Sequence, residues 1–251
     1  MPDSSQSATS HCAVLVDYDN FFVGALGTPE QIRAHADRMV VLALETDPDL
    51  DEIDIRFYGG WLQNGVLTRR ASELQAAVAQ GFFPRPHPAR PGLLRGSVVL
   101  ATRLAAVPRL EWAHTARVRR GLPRLRIADG PRPDGCAGVE SCPVDLVQRM
   151  SRKGHRECHA PDCNVKNHEA FLIQEQKMVD SMLCCDAIAF ASQGSLVIVM
   201  SDDLDVLPGV AMAAASGRRS PVLVRSGPDA EGLYDEQLGL LGVDRDEWAA
   251  A

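Results

Sequence analysis

Short apolar runs alternate with amphipathic stretches along most of this chain. His11 to Val16 (HCAVLV) is apolar and ends at Asp17, which predicts a buried first strand. Thr28-Pro29-Glu30-Gln31 then reads as a helix start, with Thr as cap, Pro in the first turn and Gln placed to close a capping box. Ile32, Ala36, Met39, Val40 and Ala43 fall on one face, so the helix is predicted to run to Leu44. Ile53 to Tyr58 (IDIRFY) reads as a second strand closed by Gly59-Gly60, and Leu67 to Gln80 as a second helix with Leu74, Ala77 and Val78 inward. Ser97 to Ala101 and Leu122 to Ile127 read as short strands. His168 to Cys185 predicts a third helix with Asn167 as its cap. Ser195 to Met200 (SLVIVM) is the clearest strand pattern in the chain. A helix from Leu207 to Ala215, a strand from Pro221 to Arg225 and a short helix from Asp235 to Leu241 follow.

Strands alternating with helices predict an α/β fold with a central, mostly parallel sheet covered on both faces. One domain is expected over 11–241, after a disordered lead-in at 1–10 and before a tail at 242–251. Within it, 82–135 is rich in Arg and Pro, and its first part, Phe82 to Gly96, reads as a loop. Residues 136–167 lack a clean period and hold clustered Cys and His, so they read as an insertion.

At 251 residues, 45% hydrophobic and 24% charged, the composition is that of a soluble globular protein. No apolar run reaches the roughly 18 residues of a membrane span. Met1 to Ser10 has neither the basic nor the apolar region of a signal peptide, so no membrane partner and a cytoplasmic location are expected. The charge is segregated. Between Gly60 and Gly135, thirteen Arg stand against four acids, +9, so the remainder carries −16 within an overall −7. Such a stretch can hold a phosphate backbone locally or be a solvated basic face.

Seven cysteines without a secretion signal argue against a disulfide framework. Cys136-x5-Cys142 and Cys158-x4-Cys163 form two pairs, with His155, His159 and His168 nearby. Structural Zn2+ takes four such ligands in a closed shell and would order an insertion poor in apolar residues. The four Cys are the favoured set, three Cys plus a His the other, and free thiols the competing reading. Cys184-Cys185 reads as core packing.

The acids carry the chemistry. Asp17 and the pair Asp203 and Asp205 lie just beyond two predicted strand ends. In an open parallel sheet, ligands bind beyond the carboxyl ends of the strands, where strand order reverses. Asp180 falls within the predicted third helix, with Lys177 a turn earlier on the same face. Oxygen ligands of this kind suit Mg2+ or Mn2+, and two such ions about 4 Å apart support phosphodiester cleavage. Each acid alone is also an ordinary cap or turn residue, Asp19 and Asp202 most readily. Two strand-end clusters coinciding with an acid on the preceding helix are harder to explain that way.

These motifs resemble a known family. Val14-Leu15-Val16-Asp17-Tyr18-Asp19-Asn20 resembles the opening hhhDxxN motif of NYN domains, a branch of the PIN-like nucleases. Lys177-Met178-Val179-Asp180, followed by Cys185-Asp186-Ala187, resembles their KxxD helix. Ser201-Asp202-Asp203-Leu204-Asp205-Val206-Leu207-Pro208 resembles their SGDsDFxP motif, with Asp202 in place of Gly and Val206 in place of Phe. The resemblance covers roughly 11–80 and 168–241. It implies a three-layer α/β/α PIN-like fold and a metal-dependent ribonuclease. Asp17, Asp180, Asp203 and Asp205 are then the acids that bind Mg2+ or Mn2+. Asn20 orients the first acid or a phosphate, and Ser201 supports the last cluster. Asp186 matches the pattern but reads more easily as structural.

The expected partner is single-stranded RNA, gripped by Lys177, Arg69, Arg70 and Arg85, with homo-oligomerisation left open. Trp61 and Phe82-Phe83 lie beside those arginines and offer stacking surfaces or, on the plainer reading, an aromatic edge of the core. His87 and His114 read as surface residues. Two alternatives stand. A haloacid-dehalogenase-like phosphatase would use Asp17 and Asp19 as nucleophile and acid, although Asn20 and Phe21-Phe22 do not fit its usual sequel. A catalytically degenerate RNA-binding module would account for Asp202 and Val206.

Overall fold

The computed structural model describes residues 10–22, 28–78, 81–120, 172–176, 178–226 and 234–248. Lys177, the predicted strand 122–127 and the zinc candidates Cys136, Cys142, Cys158 and Cys163 lie outside them. In chain order the elements are β1 (His11–Asp17), α1 (Tyr18–Phe21), α2 (Pro29–Thr46), β2 (Glu52–Tyr58), β3 (Leu62–Gln63), β4 (Val66–Leu67), α3 (Arg69–Val78), β5 (Arg85–Pro86), β6 (Leu93–Leu100), β7 (Ala116–Arg120), β8 (Leu172–Gln176), α4 (Val179–Ser192), β9 (Leu196–Met200), a 3-10 turn (Leu204–Val206), α5 (Leu207–Ser216), β10 (Val222–Arg225), α6 (Asp235–Leu240) and β11 (Asp244–Glu247).

Seven strands form one sheet in the order β11-β10-β9-β1-β2-β6-β5. Every neighbouring pair is parallel except β5 against β6, so the sheet is mostly parallel, as expected. Alternate residues of β1 serve opposite faces. Cys12, Val14 and Val16 join a core with Ile32, Met39 and Ala43 of α2 and Leu74 of α3. Ala13 and Leu15 join a second core with Leu183 and Ala187 of α4 and Val210 of α5. Helices therefore cover both faces. β1 is buried on each, which explains its unbroken apolar run. Contacts divide the chain into two units, 1–116 with 176–251, and 117–175. Of the second, the described parts belong to β7 and β8, which form a two-stranded sheet.

Several elements form where the sequence placed them, and for the stated reason. Thr28 Oγ1 accepts from Gln31 N at 3.3 Å while Thr28 N donates to Gln31 Oε1 at 3.1 Å, closing the capping box of α2. Gly96 is required where β6 meets β2. Its φ is +146°, and a Cβ there would lie 1.8 Å from Ile53 O.

Three expectations are corrected. The helix placed at His168 to Cys185 is in part strand β8, and α4 begins only at Val179. Met178 has φ +64°, a left-handed conformation that a right-handed helix cannot propagate through. The helix then runs past Cys185 because Ala187, Phe190 and Ala191 extend its buried face. β6 starts inside the stretch read as a loop, since Leu93 and Leu94 pair with β5. Beyond 241, β11 adds a strand to the sheet. No helix among the described residues is long and apolar enough to cross a membrane.

Candidate metal centre

The chain moves from β1 to β2 and β6 on one side, then returns to β9 on the other side of β1. Strand order therefore reverses between β1 and β9, the place where parallel sheets bind ligands. Asp17 ends β1 there, and Ser201 to Asp203 follow β9. Asp180 enters from the first turn of α4, which packs on β1 and β9. One carboxylate oxygen from each of Asp17, Asp180 and Asp203 lies within 4.8 Å of the others.

A small polar scaffold holds these acids. Asn20 Nδ2 donates to Asp17 Oδ2 at 2.9 Å and to Asp203 Oδ2 at 3.1 Å. Ser201 Oγ donates to Asp17 Oδ2 at 2.8 Å and accepts from Asp203 N at 3.1 Å. Asp17 is wholly buried, yet its Oδ1 has no hydrogen-bond partner, and neither does the buried Oδ1 of Asp180. Bare buried carboxylate oxygens are costly. A cation that takes their lone pairs removes that cost, and an all-carboxylate donor set fits Mg2+ or Mn2+.

The electrostatics agree. Burial pushes the Asp17 carboxyl above its ordinary range, while the Ser201 and Asn20 hydrogen bonds pull it back. Asp180 is pushed up to about 6, first by burial and then by the negative charges of Asp17, Asp203 and Asp205.

Asp205 does not join the three. Its side chain is exposed, its N–H donates to Asp203 Oδ1 at 2.9 Å, and it acts on Asp180 through charge. Asp19 accepts from Gly60 N at 3.0 Å and from Arg70 and Gln176. Asp202 accepts from the backbone N of Ser226 at 2.8 Å and from the Ser226 hydroxyl. Asp186 is buried and structural. It accepts from Tyr58 Oη at 2.6 Å and Ala105 N at 2.8 Å, and pairs with Arg56 Nε at 3.3 Å.

The nominated arginines are engaged within the chain. Arg69 pairs with Glu73 at 2.8 Å, Arg70 with Asp19 and Arg85 with Asp37. Arg70 also lies over Tyr18 at 4.7 Å and Trp61 at 5.2 Å, and Arg85 over Phe82 at 5.0 Å. Trp61 is fully buried with its indole N–H on Phe57 O, so it belongs to the core. His87 is buried as well, against the surface expectation. Ala89 N donates to its Nδ1, which leaves Nε2–H to donate to Leu50 O. His114 is exposed.

Two features of the structure had no legible signal. Gly209 lets α5 approach α4, since a Cβ there would lie 2.4 Å from Cys184 Sγ and 2.5 Å from Cys184 Cβ. That contact sets the helix of Asp180 against the turn of Asp203. At the opposite, amino-terminal end of the strands, His11 Nδ1 and Ser195 Oγ hydrogen-bond at 2.8 Å, and His11 Nε2 meets Asp54 Oδ2 at 3.3 Å. Ser195 is buried, and the group staples β1, β2 and the turn before β9.

No family model, no curated protein and no solved structure matches this chain.

Proposed function

We propose that the chain is a metal-dependent endoribonuclease of PIN-like, NYN type with a three-layer α/β/α fold, acting on single-stranded RNA. The observation that supports it most is the wholly buried Asp17 with a bare Oδ1, set within 4.8 Å of Asp180 and Asp203 oxygens at the strand switch point. These three residues would hold Mg2+ or Mn2+. When bound, such an ion polarises a phosphoryl oxygen and lowers the pKa of water. The chain's own residues do the positioning. Asn20 fixes the spacing of Asp17 and Asp203, Ser201 locks Asp17 Oδ2, and Asp180 closes the site from α4. Arg69, exposed on α3 and paired only with Glu73 one turn along the same helix, is the nominated arginine placed to meet the RNA backbone.

The departures from the family motif are compatible with activity. Asp202 turns to Ser226 and leaves the three acids intact, and Val206 is wholly buried. Asp19, which a phosphatase would need as its acid, is held by Gly60, Arg70 and Gln176, and this favours the nuclease. Structural Zn2+ on Cys136, Cys142, Cys158 and Cys163 stays a proposal from sequence. Metal analysis of purified protein tests it, with stoichiometric zinc expected.

Cleavage of end-labelled single-stranded RNA with Mn2+ tests the main reading. Wild type should cut and Asp203→Asn should not. Equal inertness of both across varied RNAs removes it. Beryllofluoride trapping on an aspartate would instead point to the phosphatase.

A further inference from the structure

A cavity of about 670 Å³ lies along β6, lined by Leu62, Leu67, Val98, Leu100, Arg103 and Trp112 among others. Its volume is within the range of small-molecule sites, which are mostly apolar with a few placed polar groups. Its walls include the ring of Trp112, which also packs on the second core. One polar group there has no use in the fold, the backbone of Val98. Arg95 N donates to Asp51 O and Ala101 N to Phe57 O, so the odd-numbered residues of β6 face β2. By the alternation of a parallel ladder, the N–H and C=O of Val98 project together to the other side. There β5 pairs only with Leu93 and Leu94.

The cavity is also well placed. Val16 is in register with Phe57, and Phe57 with Leu100, so the carboxyl end of β6 lies level with that of β1. Two strand spacings separate them, roughly 10 Å. A phosphate at the acids and a ring in the cavity are within reach of a short unstacked stretch of nucleic acid.

We propose that this cavity receives an unstacked nucleobase of the RNA cleaved at the metal centre; the identity of the ligand rests on the ribonuclease reading. Apolar side chains cover the ring. Val98 presents a donor beside an acceptor, the pattern that a base edge complements, and the Trp112 ring adds aromatic surface beside it. A paired base has its Watson–Crick edge occupied, so the site selects single strands. An added β-strand, from a second copy or a peptide, would use the same Val98 groups. It fits less well, because Leu100 O already accepts from Thr102 N at 3.0 Å and the open edge is short.

The test uses the full chain and two probes. The first is calorimetric titration with free adenosine, guanosine, cytidine and uridine without divalent metal. The second is binding of a fluorescent single-stranded RNA against an abasic strand of equal length, using Asp203→Asn to prevent cleavage. The variants are Trp112→Ala, which removes the ring, and Thr102→Trp, which fills the cavity. At least one nucleoside should bind, and each variant should weaken it by about ten-fold or more, the scale of one base–aromatic contact. Preference for the base-containing strand should fall in parallel, while stabilisation by Mn2+ is kept. Should either variant fail to fold, the wild-type indole ¹⁵N–¹H spectrum decides: one resonance must move on adding nucleoside, and Trp112→Phe must remove it. No nucleoside binding, or binding unchanged in folded variants, overturns the proposal. So does concentration-dependent dimerisation that the variants abolish without any nucleoside effect. If nucleosides bind but wild type never cuts RNA with Mn2+, the cavity stands and the ribonuclease reading falls.

Discussion

Asn20 donates from one side-chain nitrogen to both Asp17 and Asp203, at 2.9 and 3.1 Å. The two acids end neighbouring strands and repel each other, so this amide neutralises part of that repulsion while fixing their spacing. It gives the asparagine of the first motif a physical role.

Replacing Asn20 with Ala should remove two hydrogen bonds to charged acceptors. The expected loss is about 3–6 kcal/mol in the metal-free protein, since hydrogen bonds to charged groups contribute about 1.5–3 kcal/mol each. Asn20→Asp should be worse, adding a like charge where a donor stood. Urea denaturation without divalent metal measures both. Unchanged midpoints would show that the amide bridge is incidental.

Asp180 predicts a pH dependence with a definite sign. Its folded pKa, about 6, is raised above the ordinary carboxylate value, so the folded state holds its proton longer. Stability of the metal-free protein should therefore fall as pH rises from about 4 to 6 and stay lower above it. Affinity for Mn2+ should rise over the same window, because the metal needs the deprotonated acid. Asp180→Asn should flatten both trends, raising the metal-free melting temperature at neutral pH while abolishing stabilisation by Mn2+. Thermal melts from pH 4 to 8, with and without Mn2+, check this. Metal stabilisation retained in Asp180→Asn would take Asp180 out of the site.

Gly209→Ala should strain the packing of α4 on α5. The added carbon would meet both the Sγ and the Cβ of Cys184, so shortening that side chain in Cys184→Ala should rescue little. A cost of about 1–3 kcal/mol is expected, typical of overpacking. Weaker Mn2+ stabilisation should accompany it, because the two helices carry Asp180 and the Asp203 turn. Full rescue by Cys184→Ala would place the strain elsewhere.

Much of this was legible because strands buried on both faces announce themselves. Val14 to Asp17 and Val197 to Asp203 each show where an apolar run stops and an acid begins. Adjacency of those ends was not written in either run; it depends on the chain returning to β1 after β6. Spacing could not separate Asp203 from Asp205, since both follow β9, and only the 3-10 turn sends the second outward. The start of α4 was missed because Met178 occupies a left-handed conformation that its residue type does not advertise. The Arg-rich segment suggested a grip on phosphate, whereas Arg70 and Arg85 meet acids distant in sequence.

Asp186 and Asp180 lie on the same helix and should respond to substitution with opposite signs. Asp180 is a repelled carboxylate with a bare oxygen, so removing its charge relieves the metal-free protein. Asp186 is wholly buried and is satisfied by Tyr58, Arg56 and Ala105 N. Burial raises its pKa, with Tyr58 and Arg56 drawing it back down. Asp186→Ala would leave the half-buried guanidinium of Arg56 without its carboxylate and the phenol of Tyr58 without its acceptor. Breaking one side of a buried pair costs about 3–5 kcal/mol. Fold permitting, Asp186→Ala should still be stabilised by Mn2+, whereas Asp180→Asn should not. Parallel melts of the two variants check both halves. A stabilising Asp186→Ala, or one blind to Mn2+ while folded, would move Asp186 from the scaffold into the metal centre.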